Sequence, residues 1–88
     1  MRKRKEHKLK TWPGFFAEVA SGAKTFEIRK CDRDFRVGDI LILQEYIPQT
    51  KSYTGYELRV VIDYSVMLDS IPGMSKGFIG MSISEVQP

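Results

Sequence analysis

Ile40-Leu41-Ile42-Leu43 places four large aliphatic side chains in a row, so a strand here is apolar on both faces and needs cover on both. In a chain of 88 residues there is room for one core, and nearly every apolar residue must serve it. Barrels and sandwiches bury strands of this kind, and the segments on either side supply the remaining walls.

Residues 7–10 alternate, with His7 and Leu9 on one face and Lys8 and Lys10 on the other, which predicts a short first strand with Leu9 inward. Thr11 then precedes Trp12, Pro13 and Gly14; an N-cap hydroxyl with proline in the first turn predicts a helix over 13–21. Phe16, Val19 and Ala20 give that helix one apolar stripe, and Gly22 stands where a left-handed C-terminal cap is needed. Residues 24–30 alternate strictly, with Phe26 and Ile28 on one face and Thr25, Glu27 and Arg29 on the other. A charged loop over 31–36 and a turn at Val37-Gly38-Asp39 lead into the apolar strand. Residues 48–55 read as a hairpin loop, and 56–66 as a long strand with Leu58, Val60, Ile62 and Tyr64 on one face. A loop over 67–77, bent at Pro72-Gly73, precedes a last strand over 78–86. There Ile79, Met81 and Ile83 face inward, and Gly80 permits a bulge or a close backbone approach. The expected fold class is mainly β (α+β): about five strands in a small, partly closed barrel, with one short N-terminal helix over an opening. Residues 1–6 are expected to form a flexible basic tail and 7–88 a single domain.

Several classes are excluded on the same grounds. The longest apolar run is far below the roughly 20 residues that span a bilayer. The basic first ten residues lack the following apolar stretch of about 7 to 15 that an export signal requires, so a cytoplasmic location is expected. One cysteine, Cys31, and one histidine, His7, make neither an internal disulfide nor the usual four-ligand zinc site, and no cofactor or metal is expected.

Charge is unevenly placed. The formal net charge is +3, yet residues 37–88 are net acidic, so the positive field belongs to the first 36 residues. Such asymmetry suits a polyanion, because each neutralised phosphate releases counterions; a basic tail that merely aids solubility is the equally weighted alternative for Arg2 to Lys5.

The chemistry-bearing cluster is Lys24, Glu27 and Arg29. Glu27 and Arg29 share a strand face about 7 Å apart, and a bend after Gly22 would bring Lys24 to them. Arginine supplies a planar fork for phosphate, lysine a mobile charge, and glutamate an acceptor for base amino groups. Trp12, beside the basic first strand, is a candidate for stacking on a base, whereas Phe15 and Phe16 are assigned to the core. Lys8, Lys10 and Arg33 extend the cationic surface. The competing reading is a solvated Glu27–Arg29 pair worth about 0 to 1 kcal/mol. Tyr46, Tyr53, Tyr56 and Tyr64 are candidate stacking surfaces worth about 1 to 3 kcal/mol per base if exposed, although half-buried tyrosines are commoner on strands; His7 is a candidate general base near the cleft, with a structural role the commoner one. Asp32, Arg33 and Asp34 are expected to form an ion-pair network in their loop.

The pattern Gly22-x-Lys24-x-x-Glu27-x-Arg29, followed by Val37-Gly38-Asp39 before an apolar strand, resembles the signature of the ASCH superfamily. Together with His7-x-Leu9-Lys10, Asp32-Arg33-Asp34-Phe35, Glu45-Tyr46 and Tyr53-Thr54-Gly55, it is similar to the short bacterial and phage ASCH-like family known as DUF3850. Cys31 departs from that family, whose members usually carry asparagine there. The resemblance covers residues 7 to about 83 and implies a PUA-like β-barrel, a cleft between helix and barrel lined by Lys24, Glu27 and Arg29, and an RNA-related role. Some ASCH proteins deacylate N4-acetylcytidine with a Lys-x-x-Thr pair; Glu27 occupies the threonine position here and has no hydroxyl for that mechanism. The leading expectation is therefore an RNA- or nucleotide-binding module that uses Lys24, Glu27, Arg29, Lys8, Lys10, Arg33 and Trp12, with Glu27 reading a base edge. Two alternatives stand beside it. One is a hydrolase acting on a modified nucleoside or RNA base, with Lys24 and Glu27 catalytic; the other is a protein-interaction accessory domain whose partner is unknown.

Overall fold

A computed structural model describes residues 2–86. Strands β1 (Glu6–Thr11), β2 (Phe26–Lys30), β3 (Ile40–Ile47), β4 (Ser52–Met67) and β5 (Phe78–Glu85) form one sheet, and helix α1 (Pro13–Ala20) lies between β1 and β2 in sequence. The sheet order is β1-β3-β4-β5-β2, curled into a half-barrel, as the five-strand expectation required. β1 runs parallel to β3, from Glu6 opposite Ile40 to Thr11 opposite Glu45; the other three pairings are antiparallel. Both ends of the order, β1 and β2, are edge strands.

The core gathers the inward side chains of every strand but β2: Leu9, Leu41, Leu43, Val60, Ile62, Ile79, Met81 and Ile83, with Phe35 from the charged loop. Ile40 and Ile42 are buried as well, so the aliphatic run of β3 is covered on both faces. Phe16 and Val19 pack α1 against this core, although no helical residue is fully buried. Gly22 adopts φ +85° after the helix, the left-handed conformation expected there. At Gly80 the close neighbour is a side chain and not the expected backbone: a Cβ would meet Leu68 Cδ2 at 3.1 Å, with the Val66 carbonyl at 3.9 Å.

Four details correct the sequence reading. The helix N-cap is Trp12, which makes no side-chain cap; the Thr11 hydroxyl instead donates to the Leu9 carbonyl within β1. The hairpin turn spans only residues 48–51, so β4 begins at Ser52. Tyr64 does not continue the inward row of Leu58, Val60 and Ile62, because the β4–β5 register shifts between Ile62 and Tyr64 and the alternation flips with it. Tyr53, Tyr56 and Tyr64 are exposed rather than half-buried.

β2 settles a point that its alternation left open, namely which of its two faces turns inward. Phe26 and Ile28 are 50% and 52% exposed, whereas Glu27 is 3% exposed. The apolar face of this edge strand points out and its charged face points in. Among the described residues, no helix is long and apolar enough to cross a membrane.

Candidate functional site

Glu27 sits on the inward face of β2 with its two oxygens taken by different cations. Lys24 Nζ donates to Oε1 at 2.6 Å and Arg29 Nε donates to Oε2 at 2.9 Å. The turn at Gly22 supplies the bend that swings Lys24 toward β2, and its ammonium also donates to the Phe26 carbonyl at 2.7 Å. Arg29 reaches across from β2 to β1. Its Nη1 donates to the Lys10 carbonyl at 2.9 Å and its Nη2 to the Thr11 hydroxyl at 3.2 Å. From the loop that follows β2, Arg33 also reaches β1, with Nη1 donating to the Lys8 carbonyl at 3.0 Å. The two edge strands therefore face one another across a seam that arginine side chains span.

These contacts leave donors over. A guanidinium carries five N–H groups and an ammonium three. Arg29 engages three of its own and Lys24 two, among the described residues. Glu27 thus fixes two cationic heads that each keep hydrogen-bonding capacity for a ligand.

The heads open into a hollow of about 470 Å³ lined by Lys10, Thr11, Trp12, Phe15, Lys24, Phe26, Glu27, Ile28 and Arg29. Trp12 and Phe15 are both exposed, with stacked rings 6.3 Å apart, so Phe15 belongs to this wall and not to the core. The Lys24 ammonium lies 4.9 Å from the Phe26 ring centroid and 5.6 Å from that of Phe15. A second depression, about 550 Å³, continues along the seam past Lys8, Leu9, Lys10, Arg29, Lys30, Asp32, Arg33, Phe35, Gln44 and Tyr53. Lys10 and Arg29 border both. The structure therefore brings Lys24, Glu27, Arg29, Lys10 and Trp12 together at the first hollow, and places Lys8 and Arg33 one step away along the trough. Six cations line the pair of depressions against the carboxylates of Glu27 and Asp32. In the neighbouring loop Arg33 pairs with Asp32 at 3.6 Å, whereas Asp34 turns to Arg36 at 3.1 Å, so the single Asp32–Arg33–Asp34 network expected there is instead two separate pairs.

Sequence reasoning passed over Asp39, which it treated as a turn residue. Asp39 has 0% exposure and collects Arg2 Nη1 at 2.8 Å, His7 Nε2 at 2.9 Å, and the backbone N–H groups of Lys5 and Arg36 at 3.1 Å each. Burial pushes its pKa upward, but the hydrogen bonds from Arg2, His7, Lys5 and Arg36 outweigh burial and hold the carboxyl well below the ordinary carboxylate range. His7, packed 4.8 Å from Phe35, is thereby a structural residue. The stretch expected to be a loose tail contributes Arg2 and Lys5 to this knot, and Glu6 begins β1. Thr11, Phe26 and Ile28 were also passed over as site residues; the one available signal was that a strand carrying Glu and Arg on a shared face can turn that face inward when the two neutralise each other.

Among the described residues, no three His, Cys, Asp or Glu side chains cluster so as to hold a metal ion. No curated protein matches the sequence. Residues 6–83, from the first residue of β1 to the last inward residue of β5, match the model of a family described as a domain of unknown function, DUF3850, and the chain belongs to that family.

Proposed function

We propose that this protein binds RNA or a nucleotide, taking a base against the aromatic wall and a phosphate at Lys24 and Arg29. The observation that carries the reading is the pairing of an exposed Trp12–Phe15–Phe26 wall with two cationic heads fixed on a buried carboxylate. Base stacking on aromatic side chains contributes about 1 to 3 kcal/mol per base, and charge-assisted bonds to phosphate supply the rest. A hollow of about 470 Å³ lies within the usual range for sites that enclose a small molecule. Glu27 acts as a positioning residue here rather than a reader of base edges, since its carboxylate is covered and held on both oxygens. The same cover counts against Glu27 as general base for a water in a hydrolytic mechanism. The half-barrel with its single helix, and the Gly22 to Arg29 pattern, support placing the family within the PUA-like ASCH superfamily.

Titration of labelled single-stranded RNA across a salt series tests this. Each phosphate contact contributes a slope of about 0.7 in log affinity against log salt for a single strand. Lys24→Ala, Arg29→Ala and Lys10→Ala are each expected to weaken binding and to flatten the slope by about that amount. Lys10 does not touch Glu27, so its effect is free of any change in the buried cluster. Affinities and slopes identical to those of the unaltered protein in all three variants overturn the reading.

A further inference from the structure

We propose that the trough beyond Arg29 is a second nucleotide subsite, so that the protein takes two successive nucleotides of an unpaired strand; this rests on the reading of the first hollow given above. The two depressions are joined at Lys10 and Arg29, which border both. A linking phosphodiester between two bases has the same place in a dinucleotide. Lys10 and Arg29 are thus set to hold that phosphate while each base enters its own depression.

The trough has the two elements that define the first subsite. Its aromatic surface is Tyr53, 52% exposed, braced edge-on by Tyr46 at 5.0 Å. The Tyr46 ring itself lies 4.5 Å from Lys10 Nζ, which ties the aromatic pair to the shared cation. The trough's own cations are Lys8, Lys30 and Arg33, against the single lining carboxylate Asp32, which stands 3.6 Å from Arg33 Nε. Lys8 and Lys10 alternate on the outward face of β1, about 7 Å apart, a pitch that suits one cation per phosphate of an extended strand. Bases lodged in depressions on either side of Lys10 and Arg29 must be splayed from one another. A duplex, with its bases stacked and paired, cannot present them that way.

The test compares 5′-phosphorylated uridine with 5′-phosphorylated UpU by calorimetry at low salt. Uracils stack weakly on each other, so splaying them costs little. One added stacked base and one added phosphate predict that the dinucleotide binds at least about tenfold more tightly than the mononucleotide. Tyr53→Ala is expected to remove the stacking share of this gain, leaving only that of the added phosphate, with the mononucleotide's affinity unchanged, whereas Tyr53→Phe keeps the whole gain. Thermal melting of each variant checks that the β3–β4 hairpin is intact. If the mononucleotide binds and the dinucleotide gains nothing, or if the whole gain survives Tyr53→Ala in a folded protein, the second subsite is overturned and the first stands. If neither ligand binds, the nucleotide-binding reading itself fails and takes this inference with it.

Discussion

Glu27 shows how one residue can be both a cost and a necessity. Burying a carboxylate is unfavourable, and the Lys24 and Arg29 contacts repay it only because both oxygens are met at 2.6 and 2.9 Å. Removing the carboxylate leaves two part-buried cations side by side without their counter-charge, so Glu27→Ala is expected to lower unfolding free energy by about 3 kcal/mol in urea titrations. Glu27→Gln preserves volume but sets an amide N–H₂ against one of the donors, and is expected to lose less than Ala while still weakening nucleotide binding through a displaced Lys24 or Arg29. Asp39 makes a second case, and here pH is the lever. Its unfolded value is 3.8 and its folded value lies lower. The stabilisation is therefore present in full above about pH 4 and is lost as pH falls through the folded value. Asp39→Asn is expected to cost about 3 kcal/mol at pH 7 and to shrink the loss of urea midpoint between pH 5 and pH 2. An unaltered acid limb in the variant would show that another carboxylate sets it. Asp39 was illegible in the sequence for a physical reason: of its four partners, only Arg36 is local, and the others stand 32 to 37 positions away.

At the scale of elements, alternation in residues 24–30 revealed a strand with two unlike faces but was silent on which one turns inward. β2 is an edge strand at the mouth of a half-barrel, so its apolar face need not meet the core; Phe26 and Ile28 wall the hollow instead. Its charged face can go in because Glu27, Lys24 and Arg29 satisfy one another. The other strands were legible to within a few residues, since their inward sets Leu9, Leu41, Leu43, Val60, Ile62, Ile79, Met81 and Ile83 follow period two, broken only after Ile62 in β4. Tyr64 departed because a bulge is a property of the pairing, not of the strand alone. The seam between β1 and β2 yields its own test. Arg29 and Arg33 bridge to the carbonyls of Lys10 and Lys8, so the double variant Arg29→Ala, Arg33→Ala is expected to speed amide exchange in β1 while β4 and β5 amides keep their protection. Uniform acceleration across all strands would mean that the bridges support the whole fold and not the seam.

Over the whole molecule, the sheet leaves its two edges facing each other, and the basic first half of the chain supplies both of them. That arrangement concentrates Lys8, Lys10, Lys24, Arg29, Lys30 and Arg33 along one seam, although the net charge is only +3. That cationic seam with its aromatic walls underlies the proposal that the protein takes an unpaired nucleic-acid strand, a flexible polyanion that carries stackable rings. Trp12 is the single tryptophan and forms part of the first hollow's wall, so its emission reports on that hollow directly. Titrating the intact protein with oligouridylate while following Trp12 fluorescence is the most direct measurement, and saturable quenching that salt reverses and that Arg29→Ala weakens is the expected result. RNA that binds with no change in Trp12 emission, or that fails to bind at low salt, would contradict it.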